Sequence, residues 1–145
     1  IYAFEPDSGN SRKLCEFAQR YRDVYVFEEG LWDRETSLSF LSGKAENCAV
    51  SENGDCRVHV TSIDKKLSGQ KVTFIKMDIE GSEEKALSGS ADIIRKQKPR
   101  LAICVYHKPE DIIEIPQRIL EINSEYRFYL RHYSYVDTET VLYAI

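Results

Sequence analysis

The sequence predicts an α/β fold with one largely parallel sheet. Short apolar segments of strand character alternate with segments whose apolar residues recur at helical spacing, and strands separated by helices pair in parallel. Residues 101–106 form a continuous apolar run, which is typical of a strand buried on both faces. The length of 145 residues suits one domain with a sizeable core. We therefore predict a single domain over residues 1–145.

The first part of the chain predicts two strands around one helix. Residues 1–4 form the first apolar strand, which Pro6 ends, and residues 24–27 form the second. A helix over residues 11–22 is predicted from the helical spacing of Leu14, Phe17, Ala18 and Tyr21. A strand, a helix and a second strand in this order are the start of a parallel sheet.

The middle of the chain predicts an antiparallel excursion from that sheet. Residues 37–41 and 57–61 are β-rich, and the turn signal Asn53-Gly54 lies between them. Cys48 and Cys56 flank this turn and could form a bridge, although nothing in the pattern requires one. The four cysteines include no CxxC pair and the histidines are not clustered, so we expect reduced thiols and no zinc site.

Residues 72–79 have the strongest strand pattern in the chain. A helix over residues 83–98 is predicted to follow, with Ser82 as its N-terminal cap and Pro99 as its end. The apolar run described above is the next strand.

The C-terminal part predicts one more helix and a closing hairpin. Residues 110–125 are helical in pattern, and Pro116 predicts a break within them. Residues 128–130 and 140–145 are the two strands of the hairpin.

Composition and charge exclude several classes of function. Lys and Arg number 20 and Asp and Glu number 24, so the formal net charge is −4 and argues against nucleic-acid or polybasic membrane binding. No apolar run approaches the roughly 20 residues that span a bilayer, and we expect a cytoplasmic protein. The seven glycines are never closer than eight positions, so the chain contains neither a GxGxxG motif nor a P-loop.

Polar side chains follow four of the predicted strands, where doubly wound sheets bind their ligands. They are Glu5, the pair Glu28-Glu29, Asp78 with Glu80, and His107. Each of these positions is also compatible with an ordinary polar loop. A carboxylate at the end of the first strand can accept both hydroxyls of a ribose. Trp32 could stack on a neighbouring base or simply pack.

Residues 74–81 carry the most informative pattern. Alternation places Lys76, Asp78 and Glu80 on one face of the strand. One interpretation is a buried ion pair between Lys76 and Asp78. The other is a carboxylate cluster that orients a cofactor, binds a cation or accepts a hydroxyl proton. His107, after the next strand, is either a general base or a capping or surface histidine.

Five segments together resemble FkbM-type S-adenosylmethionine-dependent methyltransferases. They are IYAFEP at residues 1–6, FIKMDIEGSE at 74–83, PRL at 99–101, YHKPED at 106–111 and ETVLYA at 139–144. They occur in the family's order and span almost the whole chain. The resemblance implies a Rossmann-like class I methyltransferase sheet, mostly parallel with a C-terminal antiparallel hairpin.

The resemblance also implies an activity and a set of site residues. The expected reaction moves a methyl group from S-adenosylmethionine to a hydroxyl of a sugar or other small-molecule acceptor. Glu5 and Pro6 would lie at the ribose, Gly30 and Leu31 near the adenine, and Asp78 at the cofactor's reacting end. The implied catalytic residues are Asp78, Glu80 and His107. Two carboxylates are too few to argue a magnesium site, so no metal is predicted.

One part of the family pattern does not occur in these residues. The family's first strand and glycine-rich loop precede the strand that ends at Glu5, and that first strand lies centrally, beside the strand ending at Asp78. We therefore expect a sheet truncated at its N-terminus, and we favour an excerpt of a longer protein. A partner segment that fills the gap, or two edges that close on each other, are the alternatives.

Two other functions compete with methyl transfer. A non-catalytic α/β module could pair its open sheet edges with another chain, including a second copy in a homodimer. A fragment of a nicotinamide-dependent oxidoreductase would also place an acid at Glu5. That interpretation ranks last, because it explains neither residues 76–81 nor the closing hairpin.

Overall fold

A computed structural model describes residues 1–40 and 56–145 and shows a mixed α/β fold, as predicted. The first part contains β1 (Tyr2–Phe4), α1 (Ser8–Ala18), β2 (Tyr25–Phe27), β3 (Gly30–Leu31) and β4 (Thr36–Phe40). The central part contains β5 (Cys56–Thr61), α2 (Ile63–Lys66), β6 (Phe74–Met77), α3 (Glu83–Ser88) and α4 (Ala91–Gln97). The last part contains β7 (Arg100–Cys104), α5 (Asp111–Ile122), β8 (Phe128–His132) and β9 (Thr140–Ala144).

The described strands form three sheets, not the one sheet predicted, and three of their six pairings are parallel. β1 and β2 pair in parallel, β5 lies between β3 and antiparallel β4, and the largest sheet has the order β6-β7-β9-β8. β6 and β7 are parallel, whereas β9 is antiparallel to both of its neighbours. The closing hairpin and the antiparallel excursion are therefore confirmed. The predicted turn at Asn53-Gly54 and Cys48 lie outside the described residues.

The strand edges on either side of the predicted gap do not close on each other. Within residues 1–40 and 56–145, β1 pairs only with β2 and β6 pairs only with β7. The Tyr2 side chain reaches toward the second part, where it packs against the main core and its hydroxyl donates to Gln70 Oε1 at 3.0 Å. Of the three arrangements considered for the gap, direct closure is wrong.

The main core lies between one face of the largest sheet and helices α2 to α5. Its fully buried members include Met77 of β6, Leu87 of α3, Ile94 of α4, Ile103 of β7 and Ile119 of α5. A smaller apolar cluster on the other face contains Ala102, Cys104 and Val141. No helix in the described part of the chain is both long enough and apolar enough to cross a membrane.

β6 is buried on one face only. Ile75 and Met77 are buried and Phe74 and Lys76 are exposed, so the predicted alternation is confirmed up to Met77. The Lys76 side chain is 59% exposed, and its ammonium lies 3.3 Å from Asp78 Oδ2. The ion pair between Lys76 and Asp78 therefore exists, but its interpretation as a buried pair is wrong because solvent reaches this face of β6.

The predicted helix over residues 83–98 is two helices. α3 ends at Ser88 and α4 starts at Ala91, and Gly89 stands at the break. The Asp64 carboxylate of α2 accepts the backbone N–H groups of Asp92 and Ile93 at 2.9 and 2.8 Å. This cap from another helix satisfies donors that a continuous helix would have bonded internally, which the local pattern could not indicate.

Four further helix predictions need correction. α1 begins earlier than predicted because Asp7 caps it by accepting the Asn10 N–H at 2.8 Å. α1 also ends earlier than predicted, at Ala18, and the exposed rings of Phe17 and Tyr21 lie with their centroids 5.0 Å apart instead of facing the core. Pro116 lies inside α5 without breaking it. Ser82 occupies the cap position of α3, but its side chain makes no capping hydrogen bond.

Candidate functional site

The loops that follow β6 and β7 meet at the carboxyl ends of these strands. After β6 the chain turns through Glu80 and Gly81, which both have positive φ angles of 54° and 83°. A left-handed conformation is costly for a residue with a side chain, and such residues are concentrated at functional sites. The Lys108 ammonium, from the loop after β7, donates to the Gly81 carbonyl. The two loops are thereby held together.

Asp78 is the centre of the polar contacts in this region. Its Oδ1 accepts the Tyr106 hydroxyl at 3.0 Å, and its Oδ2 accepts the Lys76 ammonium at 3.3 Å. Burial alone would raise the pKa of Asp78, but the Tyr106 hydroxyl and the Lys76 charge outweigh it and lower the pKa. The carboxylate is therefore ionised at neutral pH.

His107 lies between three carboxylates. Its Nε2 is 3.5 Å from Asp78 Oδ1 and 3.7 Å from Glu80 Oε2, and its Nδ1 is 3.0 Å from Glu83 Oε1. The ring N–H does not point straight at the Glu83 oxygen, so this contact is an ion pair rather than an aligned hydrogen bond. Burial alone would lower the pKa of His107, but the interactions with Glu83, Glu80 and Asp78 raise it above its ordinary 6.5.

Glu83 is a functional candidate that the sequence did not reveal. It is only 1% exposed, and its Oε1 accepts the Ile79 N–H at 2.9 Å. Its other oxygen has no hydrogen-bond partner among the described residues. In the sequence, an acidic residue at the start of a helix is typical of a surface residue near the helix dipole. The only available signal was its place in the phrase that carries the family resemblance.

Asp111 is a second buried carboxylate near the histidine. It accepts the Lys108 N–H at 3.0 Å and closes the turn that leads into α5, and burial raises its pKa. One potential ligand atom from each of Glu83, His107 and Asp111 lies within 4.8 Å of the others, which is close enough for one cation. The carboxylates of Glu83 and Asp111 each already accept a backbone N–H. We therefore assign them to capping their turns and surrounding the His107 ring.

Glu5, Pro6, Gly30 and Leu31 are also brought together. Glu5 follows β1, where its backbone N–H donates to Phe27 O at 3.0 Å and its Oε1 accepts the Asp7 N–H at 2.9 Å. A side chain at Gly30 would lie 3.7 Å from the Pro6 ring and 3.1 Å from Val60, so β3 passes close to the end of β1. Leu31 packs against the main core.

The predicted residues thus form two groups. Asp78, Glu80 and His107 meet at the largest sheet, whereas the group around Glu5 lies between the two smaller sheets. No hydrogen bond or ion pair links Asp78 to Glu5 within the described ranges. The assignment of Asp78 to the cofactor therefore stays a prediction, as do the individual roles of the other residues.

Comparison with known proteins identifies the family of the chain. A family model described as the methyltransferase FkbM domain matches residues 1–136. Among solved structures, the crystal structure of methyltransferase FkbM from Methylobacillus flagellatus KT is similar, with a TM-score of 0.82 and 30% identity. The match covers 100% of this chain and 36% of that chain, and no curated protein matches significantly. The chain belongs to the FkbM methyltransferase domain family.

Proposed function

We propose that the chain is part of an S-adenosylmethionine-dependent O-methyltransferase that acts on a hydroxyl of a sugar or other small molecule. The observation that carries this proposal is the meeting of Asp78, Glu80 and His107 at the carboxyl ends of two adjacent parallel strands, in a chain of this family. A base and carboxylates at one place suit the activation of a hydroxyl group. A cytoplasmic location and a single domain over residues 1–145 belong to the same proposal.

The group around Glu5 suits the nucleoside part of the cofactor. The Glu5 carboxylate is half-exposed at the end of β1, and among the described residues only the Asp7 N–H occupies one of its oxygens. It can accept ribose hydroxyls there, and the close approach of Gly30 to Pro6 places β3 beside the end of β1, where the adenine would follow the ribose. When bound, S-adenosylmethionine supplies a methyl group on a positively charged sulfur.

The second group would prepare the acceptor. We assign His107 as the base that removes the hydroxyl proton at Nε2, the ring nitrogen that faces Asp78 and Glu80. The ionised Asp78 then stabilises the imidazolium that forms. Because the transfer needs an aligned oxygen above all, positioning by these side chains contributes as much as the proton transfer.

The Glu5→Gln protein is expected to bind S-adenosylmethionine about 10-fold more weakly, because a charged acceptor of the ribose hydroxyls becomes neutral. Calorimetric titration of the full-length protein measures this change. The amide oxygen can still accept the Asp7 N–H, so the fold is expected to stay intact. Glu16→Gln on the exposed side of α1 is the matched control and should bind normally. Equal affinity in the wild type and in Glu5→Gln would exclude this role for Glu5.

The second candidate function is a module that pairs its sheet edges with another chain. It is favoured by one observation, that β6 has a pairing partner on one side only within the described residues. Light scattering after gel filtration distinguishes the two candidates. A dimer that dissociates when Thr73→Pro is introduced beside β6 would favour the module, and a monomer that binds the cofactor contradicts it.

A further inference from the structure

We propose that Glu83 is the positioning residue for His107, holding the Nδ1 side of the imidazole so that Nε2 faces the acceptor site. This inference rests on the proposed function, in which His107 is the base. It assigns a task to a carboxylate that is buried at the start of α3 and would act through the imidazole.

Glu83 is suited to this task because its own position is fixed. Its side chain is buried, and its Oε1 accepts the Ile79 N–H at 2.9 Å, which anchors it to the turn after β6. The same oxygen lies 3.0 Å from His107 Nδ1. The anchored carboxylate therefore connects the loop after β6 to a ring that the loop after β7 carries.

His107 is held from several other sides. The Tyr106 ring packs against it with the centroids 4.2 Å apart, and its side chain is only 8% exposed. Nε2 is the nitrogen near Asp78 and Glu80, whose carboxylates are both more exposed than Glu83. Both ring nitrogens are thus buried, Nδ1 beside the buried Glu83 and Nε2 beside the more exposed carboxylates of Asp78 and Glu80.

The charges around the ring come from four elements. Glu83 of α3 and Asp78 and Glu80 after β6 are negative and favour a proton on the ring. Asp111 of α5 has a carboxylate oxygen within 4.8 Å of a His107 nitrogen, and the Lys108 ammonium is directed to the Gly81 carbonyl. Only Glu83 combines contact with Nδ1 and almost complete burial.

This arrangement selects one form of the neutral ring. A carboxylate next to Nδ1 favours a proton on that nitrogen, which leaves Nε2 as the acceptor that a general base needs. Without Glu83 the neutral ring could carry its proton on Nε2 and could no longer accept one there. If Glu83 only capped the turn through Ile79, its loss would not change which nitrogen of the neutral His107 ring carries the proton.

Nitrogen NMR of the full-length protein tests the inference without any activity. A His107→Gln variant assigns the His107 signals, which are the ones that it loses. In the wild type we expect a His107 pKa above 6.5 and a neutral ring protonated on Nδ1. A neutral ring protonated on Nε2 would overturn the inference. A chelator in all samples keeps a stray metal ion from holding the ring.

Two matched variants show whether Glu83 is the cause. Glu83→Gln keeps an oxygen for the Ile79 N–H and removes the charge, so we expect a lower His107 pKa and a mixture of neutral forms. Glu84→Gln, one residue along α3 and next to Arg118, should leave His107 unchanged. A Glu83→Gln protein with the wild-type His107 pKa and ring form contradicts the inference, and thermal unfolding of both variants monitors the fold.

Activity separates this inference from the proposed function. In Glu83→Gln we expect kcat to fall about 10- to 100-fold with little change in KM, and the rising limb of the pH profile to move to lower pH. If the NMR results are as expected but the protein transfers no methyl group to any hydroxyl acceptor, the proposed function fails and the Glu83–His107 pairing stands. If methyl transfer occurs and Glu83→Gln has the wild-type kcat and pH profile, the positioning role fails alone.

Discussion

The Asp78→Asn protein is expected to fold normally and to lose methyl transfer by about two to three orders of magnitude. The substitution keeps an oxygen that can accept the Tyr106 hydroxyl, but it removes the negative charge 3.5 Å from His107 Nε2. The imidazolium that forms during the reaction would then lose its nearest stabilising charge on that side. Turnover of an acceptor hydroxyl by the full-length protein, with unfolding measured in parallel, tests this expectation.

The matched control for Asp78 is the same substitution at an exposed site. Asp92 on α4 pairs with Lys96 and Arg95 on the helix surface, away from the loops after β6 and β7. Asp92→Asn should keep wild-type turnover, because exposed pairs of this kind contribute little. Wild-type turnover in Asp78→Asn as well would remove Asp78 from the mechanism.

The Gly89→Ala protein is expected to lose about 3 kcal/mol of unfolding free energy, because an added methyl group overlaps the backbone. A Cβ atom at Gly89 would lie 2.1 Å from the Trp32 carbonyl oxygen and 3.1 Å from Asp33 Cα. Neither neighbour is the end of a flexible side chain, so the segment after β3 would have to move away from the break between α3 and α4. Urea unfolding followed by far-UV circular dichroism measures the loss.

Gly69→Ala separates this overlap from the general cost of replacing glycine. No atom lies within 4 Å of a Cβ at Gly69, and the substitution meets only the left-handed backbone at φ +78°. The expected loss there is about 1 kcal/mol. Losses of equal size in the two proteins would contradict the close approach of Trp32 to Gly89.

The close approach of Trp32 to Gly89 is also expected to affect cofactor binding. It brings the segment that follows Gly30 and Leu31 against the helices that follow the Asp78 loop. A further contact between the same regions is the ion pair of Asp33 and Lys85 at 4.0 Å. A Gly89→Ala protein that remains folded would therefore be expected to bind cofactor less tightly than wild type.

Local patterns predicted the parts of this fold that depend on nearby residues. Alternation in residues 74–77 indicated β6, and the apolar run before Tyr106 indicated β7. Those patterns fail where another element supplies the decisive contact. The break at Gly89 depends on Trp32 and on the Asp64 cap, which lie far from α4 in sequence.

The exposure of Lys76 is a second case in which the local pattern did not predict what surrounds a residue. A strand in the middle of an α/β chain is expected to be buried on both faces, and a lysine there would require a partner. In this chain helices cover one face of β6, and Lys76 lies on the other face in contact with solvent. Periodicity places a residue on a face but does not say what covers that face.

The sequence by itself determined most of the order of strands and helices, apart from β3, α2 and the break at Gly89. It also determined the closing hairpin and the placement of Asp78, Glu80 and His107 at strand ends. It could do so because periodicity and turn residues act over a few positions, and because parallel strands bring their carboxyl ends to one edge. Only the tertiary structure decided that Glu83 lies 3.0 Å from His107 Nδ1. The two side chains are carried by different loops, and the burial that makes their pairing strong arises only when helices α3 and α5 pack together.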